Sequence, residues 1–170
     1  VGNPEDFHCD VGPIIDERSR NMLLEYISEC SNNGYQVFSH NQAPDGNFVS
    51  PTLIELNSID DINEEKFGPI LHVIKYKTDE LDQILNALKN KQYGLTMGVH
   101  SRIESKADDI INKSIAGNTY INRDIVGAVV GSQPFGGTGL SGTGFKAGGP
   151  NYLLQFVDER SITKNTVAFG

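Results

Sequence analysis

The sequence predicts an α/β fold with a parallel sheet and covering helices. Three observations carry this. Between residues 70 and 122, apolar β-branched runs alternate with amphipathic helical stretches in the order β-α-β-α-β. A further helical periodicity precedes them over Asp16–Asn33. Nine of the 18 glycines fall between Gly127 and Gly149, where a regular element would be entropically costly, so a long shaped loop is expected there.

The elements follow in order. Leu23, Tyr26, Ile27 and Cys30 share one face of the first helix; Asp16 can accept from its free first-turn amides, and Gly34 supplies a left-handed stop. Tyr35–Ser39 and Phe48–Leu56 read as short strands, split by the turn-rich Pro44-Asp45-Gly46-Asn47. Ile70–Tyr76 is a core strand. Thr78 is the expected cap of a helix whose Leu81, Ile84, Leu85 and Leu88 fall at i, i+3, i+4 and i+7, and Gly94 ends the turn after it. Leu95–His100 is the next strand. Ser101-Arg102-Ile103-Glu104 has capping-box spacing ahead of a helix with a stripe of Ile103, Ala107, Ile110 and Ile111. Gly117 stops that helix, and Asn118–Asn122 is the third strand. Tyr152–Thr166 returns to strand-like patterning, expected as an edge or dimer-spanning strand.

Composition narrows the function classes. The 170 residues carry 14 Lys+Arg against 22 Asp+Glu, a formal charge of −8. No basic cluster offers the counterion release that nucleic-acid binding needs. No apolar run approaches the roughly 18 residues that span a bilayer. A chain of this length can bury roughly two-thirds of its unfolded surface, enough for a real core. The opening Val-Gly-Asn-Pro has no Met and no leader, so the sequence reads as the middle of a longer protein. Two cysteines, Cys9 and Cys30, make no disulfide framework, and a reducing cytoplasm is the expected compartment.

Several motifs have plain readings. Gly137-Thr138-Gly139-Leu140-Ser141-Gly142 matches a dinucleotide fingerprint by letter, but no strand precedes it and no helix follows. Lys146 follows Phe145, which excludes a P-loop on spacing. His8-Cys9-Asp10 are neighbours on the chain, and a working Cys–His pair usually assembles from distant segments. Cys30 sits on an apolar helix face as a small core residue. His40, His72 and His100 lack metal-ligand spacing, so no metal site is expected. Asp60-Asp61 read as a solvated face. Glu64-Glu65-Lys66-Phe67-Gly68-Pro69 differs: a carboxylate and an aromatic sit at the entrance to a buried strand, where side chains can be aimed. A carboxylate can accept both hydroxyls of a ribose, and an aromatic can pack on the ring beside it.

Glu65-Lys66-Phe67-Gly68-Pro69 is similar to the E-x-F-G-P segment of the NAD(P)-dependent aldehyde dehydrogenases. Ala116-Gly117-Asn118-Thr119-Tyr120-Ile121-Asn122, then Pro134-Phe135-Gly136-Gly137, then Leu140-Ser141-Gly142-Thr143-Gly144 follow in that family's order. Asp10-Val11-Gly12-Pro13-Ile14-Ile15-Asp16 resembles a segment downstream of its catalytic cysteine. The stretch from Val126 to Phe135 and Lys146-Ala147-Gly148-Gly149-Pro150 resemble the glutamate-semialdehyde (1-pyrroline-5-carboxylate) dehydrogenase branch, including the dehydrogenase module of bacterial bifunctional proline-utilization proteins.

The resemblance implies a partial aldehyde-dehydrogenase-like catalytic domain over 1–150 and an oligomerisation strand or tail over 151–170. It implies oxidation of L-glutamate γ-semialdehyde to glutamate with NAD as cofactor, through a cysteine adduct that passes hydride to NAD+ and a thioester that water hydrolyses. The nucleophile, the general base and the pyrophosphate-binding helix would lie upstream, so no catalytic residue is assigned here, and neither Cys9 nor Cys30 takes the role. Glu65 would accept from the nicotinamide ribose, with Phe67 fixing ring pose, because hydride transfer tolerates little misplacement. Gly127 and Ala128 would anchor the substrate's carboxylate through backbone amides. Where some relatives carry Ser, this chain has Ala128, so an amide rather than a hydroxyl is implied. Phe135 would wall the aliphatic part of the substrate. The expected partners are this small molecule and further copies of the chain, with no nucleic acid and no membrane. Two alternatives stay open: an association unit without activity of its own, and a segment of a dehydrogenase for a different, uncharged aldehyde.

Overall fold

Helix α1 (Glu17–Asn32) begins where the Asp16 carboxylate accepts from the Ser19 amide at 2.7 Å, and Gly34 turns the chain away at φ 87°. That amide bond holds the Asp16 carboxyl below its ordinary range. The computed structural model describes residues 1–40, 42–129, 131–142 and 144–169. Val130 and Thr143 of the motifs above lie outside the described residues. The chain divides into two compact units, Val1–Ile84 and Leu85–Gly170.

In the first unit, β1 (Gln36–Ser39) pairs antiparallel with β2 (Thr52–Leu56), and β2 pairs parallel with β3 (Ile70–Ile74), so β2 is central. Strand β2 begins at Thr52, later than the expected Phe48, because Pro51 has no amide to give to a ladder. Thr52, Ile54 and Leu56 alternate inward. Ile54 is fully enclosed, and with Cys30 and Leu56 it forms the core against Tyr26, Ile27, Val37, Ile70 and Ile74. Thr52 is polar and buried, but its hydroxyl is satisfied by Ser39 Oγ and the Ser50 carbonyl, both at 2.9 Å. Cys30 is thus the small core residue its helix face predicted.

A 3-10 turn over Thr78–Glu80 leads into α2 (Leu81–Asn90), which holds the expected leucine stripe. Its capping differs from expectation. Thr78 lies inside the turn, and the Glu80 carboxylate accepts from the Lys77 amide at 2.8 Å.

In the second unit, β5 (Thr96–Val99) pairs parallel with β6 (Asn118–Ile121), with α3 (Glu104–Lys113) between them. The short β4 (Tyr93–Gly94) pairs antiparallel with β7 (Thr138–Gly139). Of the three expected parallel strands, β5 and β6 pair with each other, while β3 takes β2 as its parallel partner. Gly94 is a strand residue, and Gln92 at φ 62° makes the preceding turn. Helix α3 has no capping box: Ser101 Oγ accepts from the Ile103 amide at 3.0 Å, a local turn that removes it from the cap position. The stop also differs, since α3 ends at Lys113 with Ser114 as its cap. Tyr152–Phe156 form a 3-10 helix, and residues 157–165 form no regular element, in place of the expected strand. An extended segment becomes a strand only when another strand satisfies its backbone.

Ile54→Ala is expected to lower unfolding stability by about 3 kcal/mol, because Ile54 is fully enclosed and the change leaves a cavity, and Ile54→Val by about 1 kcal/mol. Denaturant unfolding of the purified protein measures both.

Candidate functional site

The entrance to β3 is built against α1. A Cβ on Gly68 would overlap the Leu23 side chain, itself buried, so glycine in this motif lets the loop close on the helix. Beside that contact lies a cleft of about 320 Å³, lined by Met22, Tyr26 and Glu29 of α1 and by Glu64, Glu65 and Phe67. Glu64 and Glu65 have different fates. Glu64 accepts from the Lys66 ammonium, and this pairing holds its carboxyl below the usual range. Glu65 is exposed, and its carboxylate meets no cation among the described residues. Phe67 beside it is 85% exposed. An unpaired carboxylate next to an open aromatic face in a cleft fits a ribose diol and the ring attached to it.

Lys66 is mostly buried, with its Nζ 4.4 Å from the centroid of the Tyr26 ring. The Tyr26 hydroxyl lies 2.8 Å from His72 Nε2 on β3, and the two rings meet edge to face. Burial, with Cys30 beside it, pushes the Tyr26 phenol well above its ordinary range. Burial, aided by the Lys66 cation, pulls His72 below 6.5. Lys66 and His72 were not singled out as site residues from sequence. Lys66 stood within the quoted motif, but nothing in the letters marks it as a prop between a tyrosine and a glutamate.

The other expected residues lie in the second unit. Gly127 adopts φ 68°, a conformation that glycine tolerates and that side chains rarely adopt. It is exposed, and a Cβ there would meet nothing within 4 Å. Among the described residues no acceptor is found for the Gly127 or Ala128 amide. The Gly127 carbonyl accepts from the Tyr120 hydroxyl at 3.0 Å, and Tyr120 is 7% exposed on β6. Phe135 exchanges two backbone hydrogen bonds with Ala147, at 3.0 and 2.9 Å. On either side of it, Asn118 Nδ2 donates to the Pro134 carbonyl at 2.9 Å and Asn118 Oδ1 accepts from the Gly136 amide at 3.1 Å. Gly117 must lack a Cβ, which would overlap the Gly136 carbonyl, and the Gly117 carbonyl accepts from Lys146 Nζ. The structure thus groups Glu65 with Phe67 in one unit, and Gly127, Ala128 and Phe135 on one loop system in the other.

Among the described residues no cluster of His, Cys, Asp or Glu could hold a metal, and no helix is long and apolar enough to cross a membrane. Cys9 is partly exposed, with its Sγ 3.2 Å from the Val11 carbonyl.

Comparison with known proteins places these residues in context. The family profile described as "Aldehyde dehydrogenase family" matches residues 1–162. The chain is 44% identical over a 178-residue alignment to the bifunctional protein PutA of Klebsiella aerogenes, covering all of this chain and 14% of that protein. It is 35% identical to the 1-pyrroline-5-carboxylate dehydrogenase of a Geobacillus strain, over 96% of this chain and 32% of that one. Among solved structures, a mutant of Bradyrhizobium japonicum proline utilization A superposes with a TM-score of 0.89 at 46% identity, covering 99% of this chain and 17% of that one. A Thermus 1-pyrroline-5-carboxylate dehydrogenase with bound NAD superposes at 0.77 and 36% identity, over 88% and 29% of the two chains. The chain therefore spans a seventh to a third of the length of these relatives.

The lowered His72 pKa fixes the sign of a pH effect. The folded state binds fewer protons than the unfolded chain below about pH 6.5, so stability is full above that value and falls as pH drops through it. Protonation would set an imidazolium near Lys66. Thermal melts between about pH 7 and pH 5 should show this loss, and His72→Gln should flatten the slope.

Proposed function

The chain belongs to the aldehyde dehydrogenase family, and we propose that the protein carrying it oxidises L-glutamate γ-semialdehyde, the open form of 1-pyrroline-5-carboxylate, to glutamate with NAD in proline catabolism. The observation that carries this reading is the Gly127 turn. Two adjacent amides with no acceptor among the described residues, on a loop held by Tyr120, suit a carboxylate, which forms strong bonds with backbone N–H groups. An uncharged aldehyde gives such a cradle nothing to hold. The likeness to 1-pyrroline-5-carboxylate dehydrogenases supports the same substrate.

NAD, when bound, supplies the hydride acceptor. This chain's own residues hold and orient. Glu65, left without a cation among the described residues because Lys66 engages Glu64, accepts from the nicotinamide ribose. Phe67 packs on the ring beside it. Gly127 and Ala128 fix the charged end of the substrate, and Phe135, fastened to Ala147, walls its aliphatic middle and excludes water. The reacting cysteine is supplied by another part of the polypeptide, so residues 1–170 alone are inactive. Residues 151–170 serve association between copies: Leu153, Leu154, Phe156, Val157 and Ile162 are all exposed, more apolar surface than a lone tail usually shows. The compartment is the cytoplasm.

In the full-length enzyme, Glu65→Gln should reduce kcat/KM for NAD+ by about ten-fold or more, the worth of a charged hydrogen bond, with the melting temperature unchanged. Wild-type NAD+ kinetics would remove Glu65 from the site. Gly127→Val, strained at this φ, should abolish semialdehyde oxidation, read as NADH absorbance. The isolated chain should produce no NADH from semialdehyde and NAD+.

A further inference from the structure

We infer that the buried face of β6, through Tyr120 and Asn118, sets the distance between the carboxylate anchor and the aliphatic wall, and so selects the length and charge of the aldehyde. This rests on the reading of Gly127 and Phe135 given above.

Asn118 and Tyr120 stand two apart on a strand, so both side chains leave the same face. Both are buried and polar, and both spend their hydrogen bonds on the same loop. Tyr120 holds the carbonyl of Gly127 at 3.0 Å, next to the amides that meet the anion. Asn118 holds the carbonyl before Phe135 and the amide after it, at 2.9 and 3.1 Å. Each end of the substrate-facing segment is therefore tied to one strand, whose spacing is fixed by its parallel pairing with β5. Arg123, with its guanidinium carbon 4.8 Å from the Tyr120 ring centroid, covers that ring from outside. Both side chains are engaged by the loop itself. They are positioning residues, and a buried polar group that loses its partner moves the loop it held.

The two ties predict different kinetic signatures in the full-length enzyme. Tyr120→Phe keeps the ring and removes the single bond to Gly127. It should raise the KM for glutamate semialdehyde about ten-fold. It should leave kcat/KM for pentanal, which has no carboxylate, within about two-fold. Asn118→Asp is isosteric, keeps an acceptor for Gly136, and sets a carboxylate oxygen against the Pro134 carbonyl. It should raise the KM for both aldehydes. The NAD+ KM should not change in either variant, and circular dichroism and a melt verify folding. A general structural defect would shift NAD+ and both aldehydes together, and that result overturns the inference. If Tyr120→Phe leaves the semialdehyde KM at the wild-type value while Gly127→Val destroys the preference for semialdehyde over pentanal, the clamp is wrong and the anchor stands. If Gly127→Val also leaves that preference intact, the anchor itself falls and the clamp with it.

Discussion

A carboxamide cannot sit inside a protein without partners, and Asn118 is 9% exposed. Its oxygen and nitrogen both turn to the segment around Phe135. The glycine-rich stretch must therefore return to β6, and the rest of the second unit follows from that return. Gly117 lies so close to the Gly136 carbonyl that it could carry no side chain there. Thr138–Gly139 can then pair with Tyr93–Gly94, and Phe135 can lock onto Ala147. Glycine-rich chain is entropically expensive to order. Here the cost is met by hydrogen bonds from β6 rather than by an apolar core, and the Gly127 turn stays exposed.

The first unit solves a different problem with charges. Two adjacent glutamates would ordinarily repel and share whatever cation is near. Lys66, pinned against the Tyr26 ring, takes Glu64 and leaves Glu65 as the carboxylate free to act. The same lysine helps keep His72 neutral, so a half-buried lysine, phenol and imidazole coexist without an unfavourable pair of cations. A single cation thus links the packing of α1 on β3 to the chemistry presented at the cleft.

Much of this was legible in the letters. The stripe of Leu23, Tyr26, Ile27 and Cys30, the Asp16 cap and the Gly34 stop were read correctly because each is a local rule with a local cause. Ser101 and Glu104 met the spacing of a capping box, yet Ser101 bonds to Ile103, since two local hydrogen-bond patterns competed and the nearer one formed. Within one chain the Tyr152–Thr166 segment forms a 3-10 helix followed by irregular backbone, and a dimer-spanning strand would take its pairing from a second copy. The pairing of Lys66 with Tyr26, and the grip of Asn118 and Tyr120 on the loop, join residues far apart in sequence or hidden inside a motif.

The sequence by itself indicated the helices and strands up to Ile121 and their order, the glycine positions that must turn or approach closely, and the motif residues Glu65, Phe67, Gly127, Ala128 and Phe135 on which the proposed function rests. The elements and turns depend on periodicity, side-chain volume and backbone freedom, which each residue carries with it, whereas the site residues come from the resemblance of their motifs to a family. Only the tertiary structure decided that β2–β3 and β5–β6 form separate parallel pairs, which glutamate stays unpaired, and which side chains fasten the loop. Those outcomes depend on distances between segments, and a one-dimensional pattern holds no distances.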